Sequence, residues 1–319
     1  MRTNQIEMVN VDQLVSEKHA YRAMKSALNF EKIAKNIKIK KSETGAVGYT
    51  ILRLVMCLIL QFLEDLSDRE FERFIADGIA AKWFCGFGLT EKTPDFTTIC
   101  KFRNKIGCKG MSQIFDAVKA QLREKGYMTD LFNFVDSTAL ISKLQMWEER
   151  DKAIADGYEK LNNAVIENYA KDKDVRIGAK GKNKFWLGYK KTVCTGMKDG
   201  FIEKVAVTKA NVTDAEAAKN VLPKEGAVVA DKGYIPIISY IIALGLHPMV
   251  ILKENMKNKN RDLDRYISGL RSPYEGTFSK QNKRVRYKGL AKNQAAEFLY
   301  ATAFNIKRLL AIEKCKATF

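Results

Sequence analysis

The hydrophobic pattern changes period once along the chain. Residues 1–45 are polar and basic, ending in Lys38, Lys40 and Lys41, and read as one or two short helices with a charged connector. From 47 to 125 the apolar positions recur at helical spacing: Ile51, Leu54, Val55, Leu58, Ile59 and Phe62 fall on one stripe. Ser67 and Glu70 form a capping box that opens the next helix. The stretch Gly86 to Pro94 breaks the pattern, and Phe96 to Ile106 resumes it. At 131 the period becomes that of strands. Leu131 to Val135 is short and apolar, so it predicts a strand ending at Asp136. Phe185 to Cys194 and Phe201 to Thr208 flank the Asp199-Gly200 turn as a hairpin. A helix capped by Thr213 and Glu216 follows, then a strand at Ala227 to Ala230. A helix runs from Pro236 to Gly245, Met249 to Leu252 is a strand, and 272–315 is mostly helical. That order predicts an all-helical domain over 1–125 and an α/β domain with a mixed sheet flanked by helices over 126–319.

Composition sharpens this picture in one respect. Lys and Arg number 55 against 37 Asp and Glu, a net charge of +18 over 319 residues, which points to a polyanionic partner, nucleic acid first. The excess is concentrated. Residues 171–191 carry +6 and residues 257–319 carry +10. These stretches include Lys180, Lys182 and Lys184 in the first, and Arg271, Lys283, Arg284, Arg286 and Lys288 in the second. A solvated charged face is the plainer reading of one such stretch; two of them bracketing a site favour DNA. The apolar run Ile51 to Leu63 is too short to cross a membrane and is broken by Arg53 and Gln61. Residues 1–10 lack the apolar stretch of a signal peptide, and the six cysteines show no paired spacing, so the expectation is a cytoplasmic protein with reduced thiols. With two histidines, His19 and His247, a zinc site or a histidine-based triad is disfavoured. A metal site would be built from carboxylates, which suits magnesium or manganese.

Three acids stand at informative places. Asp136 follows the first strand in FVDST, and Asp231 follows a later strand in VVADKGY. Ligands of open α/β sheets collect at the carboxyl ends of strands. Glu275 sits in RSPYEGTF. Three such carboxylates converging would make a hard-oxygen cation site. Each also has a plainer reading. Asp136 could cap a turn through Ser137 and Thr138, and Asp231 could be a turn residue before Lys232-Gly233. Glu275 could belong to a capping box, Ser272-Pro273-Tyr274-Glu275, at the start of a helix.

The segments LSDREFERF (66–74), KTPDFTTICKFRNKIG (92–107), FVDST (134–138), DVRIGAKGKNKFWLGYK (174–190), KANVTDAE (209–216), ADKGY (230–234), RSPYEGTF (271–278) and RVRYKGLAKN (284–293) resemble bacterial insertion-sequence transposases of the DDE class, IS-five type. The resemblance implies a ribonuclease-H-like domain behind a helical domain used for end binding or dimerisation. It makes Asp136, Asp231 and Glu275 the catalytic and metal-holding triad. It also implies double-stranded DNA as partner and a homodimer or higher oligomer at work, associated with the nucleoid when bound. The wider group often has Tyr where Ser268 stands and Lys where Asn282 stands; Lys283 is one place further on. It often has His in the second strand, where Lys191 or Thr192 stands, and no role is carried to those two.

The chemistry implied is in-line displacement at phosphorus. Two divalent ions, magnesium or manganese, about 3.5–4 Å apart activate the attacking oxygen and stabilise the leaving one. Water frees a 3′-OH, which then attacks target DNA. Arg271, one helical turn before Glu275, would hold a phosphate oxygen or pair with Glu275 itself. Two other readings remain at this point: a non-catalytic DNA-binding descendant, and a ribonuclease-H-like nuclease without strand transfer.

Overall fold

The computed structural model describes residues 9–39, 48–129, 131–142, 152, 155–157, 162–180, 184–256, 259–279 and 284–316; the side chains of 184 and 275–279 lie outside the described set. The chain divides into two compact units, 1–121 with 302–319, and 122–301.

The first unit is helical among its described residues. It holds α1 (Ala20–Ala27), α2 (Phe30–Lys35), α3 (Ile51–Leu63), α4 (Asp68–Asp77), α5 (Ile79–Cys85) and most of α6 (Phe96–Glu124). The apolar run is a core helix, as its length requires: every residue from Leu54 to Leu63 is buried. The capping box of α4 is closed in both directions, Glu70 N–H to Ser67 Oγ and Ser67 N–H to Glu70 Oε2. Asp68 accepts two hydrogen bonds from the Arg103 guanidinium, both at 2.7 Å. The motifs at 66–74 and 92–107 are therefore joined by a structural clamp. Gly107, at φ 59°, kinks α6.

The second unit is a mixed six-stranded sheet with helices on it. Its strands are β1 (Phe132–Ile141), β2 (Arg176–Lys180), β3 (Lys184–Gly196), β4 (Ile202–Lys209), β5 (Ala227–Ala230) and β6 (His247–Val250). Its helices are α7 (Ile166–Tyr169), α8 (Asp214–Ala218), a 3-10 segment (Lys232–Ile237) leading into α9 (Ile238–Ala243), α10 (Arg261–Ser279) and α11 (Leu290–Lys316), whose residues from Thr302 on count with the first unit. β1 pairs antiparallel with β3 and parallel with β5, and β5 pairs parallel with β6. β2 and β4 pair in turn along the other edge of β3. Val135, Cys194, Val228 and Ala230 on the sheet join Ala218, Tyr234, Ile237 and Ile241 in one core. Leu140, Leu187, Tyr189 and Val207 join Val165 and Ile166 in another.

Three sequence expectations need correction. β1 does not stop at Asp136: it continues to Ile141, because β3 pairs with it along that whole length. The helix carrying Glu275 does not start at Ser272. It starts at Arg261, with Asn260 Oδ1 accepting from the Asp262 and Leu263 N–H groups at 3.1 Å, and it runs through Pro273. The residue four before Pro273, whose carbonyl the ring crowds in a helix interior, is Gly269. β6 also lies two residues earlier than expected. Among the described residues no helix is long and apolar enough to cross a membrane.

Candidate active site

Asp136 and Asp231 are brought to one level by strand register. In the parallel pairing of β1 with β5 the last couple is Phe134 opposite Val229. Two residues further along each strand stand Asp136 and Asp231. Both positions follow with the same alternation, so they fall on the same face.

Each carboxylate is oriented by one local N–H. Asp136 Oδ1 accepts from Ser137 N–H at 2.8 Å. Asp231 Oδ1 accepts from Gly233 N–H at 2.7 Å and so caps the 3-10 segment. The turn role read for Asp231 is real, and it occupies one oxygen only. A Cβ at Gly233 would stand 2.9 Å from Asp231 Oδ1, so a larger residue there would displace that oxygen. The second oxygen of each aspartate has no hydrogen-bond donor among the described residues. Burial pushes the Asp136 carboxyl up to about 6; the Asp231 charge pushes the same way, against the Ser137 N–H and the cations Lys180 and Arg271. A half-buried carboxylate with a second one beside it is a place where a cation is stabilised.

Helix α10 lies against this face. The Arg271 guanidinium carbon is 5.7 Å from the centre of the Phe134 ring, and the Tyr274 ring is 6.4 Å from it. The Tyr274 hydroxyl donates to Met197 O. Glu275 is the next residue on that helix, one turn after Arg271; its backbone is described and its side chain is outside the described set. Among the described residues no three His, Cys, Asp or Glu side chains gather as a metal cage; the two aspartates form a pair.

The basic residues read from the sequence divide into groups. Lys180 is exposed at the end of β2, where its charge reaches Asp136. Lys184 lies opposite it in register. Lys182 and Lys283 lie outside the described residues. Arg284 bridges Ile141 at the far end of β1, Arg286 sits 5.4 Å from the Tyr300 ring, and Lys288 is exposed. Other members of the first cluster are structural. Lys190 is buried against Asp214 at 2.7 Å, and Lys191 against Glu297 at 2.9 Å. Arg176 is buried and pairs with Glu167. Asp172 and Asp174 accept the Gly289 and Leu290 N–H groups at the start of α11. Trp186 packs on Gly178, where a Cβ would meet its ring at 2.5 Å.

Two features escape a reading by motif. A cleft of about 480 Å3 opens beside Asp231, lined by Lys232, Gly233, Pro236, Ile251, Leu252, Lys253, Glu254 and Lys259. Lys259 is held by Glu254 and Asp264, while Lys232 and Lys253 have no ion-pair partner among the described residues. Behind the aspartates, the hydroxyls of Ser137, Thr192 and Tyr234 are joined. Only their neighbours in FVDST and ADKGY hinted at this, since a hydroxyl has no periodic signature.

Residues 9–105 match a family model described as a transposase domain (DUF772), and residues 165–306 match the model of the transposase DDE domain. Both matching models describe transposase domains. The match to the DDE domain spans Asp231, Arg271 and Glu275 and begins after Asp136; Asp136 is brought level with Asp231 by the strand register alone. No curated protein matches the chain. A cryo-EM structure of the piggyBac transposase synaptic complex with hairpin DNA is similar over 92% of this chain and 74% of that chain, at 9% identity and a TM-score of 0.42.

Proposed function

We propose that the chain is a DDE transposase of the IS-five type, which binds the inverted-repeat ends of an insertion sequence, cleaves there and joins the 3′-OH to target DNA. The observation that carries this reading is a pair of aspartates at one level, Asp136 within β1 and Asp231 just after β5, each with one oxygen fixed by a backbone N–H and one without a donor among the described residues, with Asp231 inside a segment that matches a DDE domain. The strand order β4-β3-β1-β5-β6 supports a ribonuclease-H-like sheet.

The donor set fits a hard divalent cation. It consists of carboxylate oxygens, one of them held protonated to about pH 6 by burial and by its neighbour. Asp136, Asp231 and Glu275 would hold it, and magnesium or manganese, two ions in all, would supply Lewis acidity at the phosphorus and at the entering and leaving oxygens. The chain's own work is orientation. The Ser137 and Gly233 N–H groups keep the two carboxylates from turning. Helix α10 carries Glu275 on the same element that packs Arg271 and Tyr274 onto Phe134. Arg271, forked and always charged, serves a phosphate oxygen. Lys180 on one side, and Lys232 and Lys253 in the cleft on the other, extend a cationic track for the DNA backbone, with Lys184, Lys182, Lys283, Arg284, Arg286 and Lys288 along the same stretches of sequence. The working form is a homodimer or larger assembly on double-stranded DNA, in the cytoplasm.

The test uses DNA carrying the inverted repeats found beside the gene. With magnesium, the native protein cuts and joins. Asp136→Ala, Asp231→Ala and Glu275→Ala each bind this DNA and do neither. Retained cutting in any one removes that residue from the site. Cutting without joining makes the protein a nuclease; binding without cutting by the native protein makes it a non-catalytic descendant.

A further inference from the structure

The parallel ladder between β1 and β5 ends at Phe134 and Val229, two residues before the aspartates. Beyond that couple no backbone hydrogen bond between the two strands holds Asp136 to Asp231 among the described residues. A side-chain bond does so from behind. Ser137 Oγ lies 3.2 Å from Tyr234 Oη and 2.8 Å from Thr192 Oγ1. Ser137 follows Asp136 directly, and its N–H is the group that orients the Asp136 carboxylate. Tyr234 closes the turn that Asp231 opens: its N–H donates to Asp231 O at 3.1 Å, within the turn whose Gly233 N–H holds Asp231 Oδ1. All three hydroxyl residues are buried, Thr192 and Tyr234 almost completely.

We propose that the Ser137–Tyr234 hydrogen bond is a clasp that sets the separation of the two aspartates, making Ser137 and Tyr234 positioning residues for the divalent cation. The inference rests on the reading of Asp136 and Asp231 as cation ligands. Its physical basis is the cost of two like charges side by side: without a cation the carboxylates repel, and strands no longer laddered together can yield by splaying. A buried hydroxyl pair resists that splaying where backbone bonds are missing. Tyr234 suits the task because its ring is locked in the core formed with Ile237 and Ile241. Its hydroxyl is therefore presented by a rigid body rather than by a rotating arm.

The experiment measures Mn2+ binding to the full chain without DNA, by electron paramagnetic resonance of the free ion, beside a thermal unfolding curve for each variant. Tyr234→Phe and Ser137→Ala each weaken Mn2+ binding by about tenfold, the range seen when groups behind metal ligands are removed. The double variant weakens it no further than either single one, because both remove the same bond. Thr192→Val is the control: it deletes a buried hydroxyl of the same cluster yet leaves the clasp, so Mn2+ binding stays at the native level. Native binding in Tyr234→Phe overturns the clasp. So does a loss in Thr192→Val equal to that in Tyr234→Phe, which would make the effect one of core packing. The underlying reading fails separately: if Asp136→Ala and Asp231→Ala bind Mn2+ like the native chain, the aspartates are not ligands and the clasp has nothing to position.

Discussion

Asp136 is a liability to the fold in the absence of a cation. Its carboxyl titrates near pH 6 in the folded chain against an ordinary 3.8, chiefly through burial. Below the lower value both folded and unfolded states hold the proton and nothing is lost. As pH rises between the two values the unfolded chain releases its proton first, so stability falls, and above about 6 the full penalty applies. At 1.36 kcal/mol per unit the ceiling is about 3 kcal/mol, and partial exposure brings it nearer 1–2 kcal/mol. Asp136→Asn is therefore expected to unfold at a higher temperature than the native chain at pH 8 without metal, with the gain vanishing at pH 4. Added Mg2+ should raise only the native midpoint, because a ligand stabilises the state that binds it. Equal midpoints at pH 8 would show that Asp136 bears no such strain. The candidate aspartates were legible because each acid follows an apolar run. What surrounds them was not: Ser137, Thr192 and Tyr234 meet across three segments, and Lys190 and Lys191 read as solvent-facing charge although both are buried in ion pairs.

At the scale of elements, the misreadings have definite causes. Ser272-Pro273-Tyr274-Glu275 has the form of a helix start, yet α10 is already three turns long there. The preceding residues, from Arg261 to Gly269, bury only Ile267, so they carry no clear apolar stripe. Gly269 lies in mid-helix, four residues before the proline. Asn260→Ala should therefore lower stability by about 1 kcal/mol through loss of a cap, while Ser272→Ala should stay within about 0.5 kcal/mol, as for an exposed helix position. Chemical denaturation measures both. The reverse order would restore the short helix. β1 was cut short in the reading because Asp136, Ser137 and Thr138 are polar, and polar residues in a strand covered on both faces look like a turn. Here Thr192 and Tyr234 satisfy the Ser137 hydroxyl, and the pairing with β3 holds the backbone of all three. The hairpin, the Thr213 cap and β5 were legible because turn and cap signals are local.

The whole molecule carries +18, and part of that charge is spent internally. Arg103, Arg176, Lys190 and Lys191 are buried in ion pairs, so a count of Lys and Arg overstates what faces a polyanion. Among the described residues, the cations left open near the aspartates are Lys180, Lys232 and Lys253. DNA affinity should fall steeply with salt, and Lys232→Gln with Lys253→Gln together should lower the slope of log affinity against log salt by about two, since each phosphate contact contributes about 0.9. An unchanged slope would take the cleft off the DNA path. The division into a helical and an α/β part was visible as the change of period at 131; that the C-terminal residues from 302 group with the helical part was not, because helical periodicity does not say which partner a helix meets.

The most direct measurement is a crystal or cryo-EM structure of the chain bound to its end DNA with manganese, the ions located by anomalous scattering or by density. The account predicts metal between the Asp136 and Asp231 carboxylates, with Glu275 coordinating and the scissile phosphate in contact. Metal bound elsewhere, or a Glu275 carboxylate turned away from both aspartates, would contradict it.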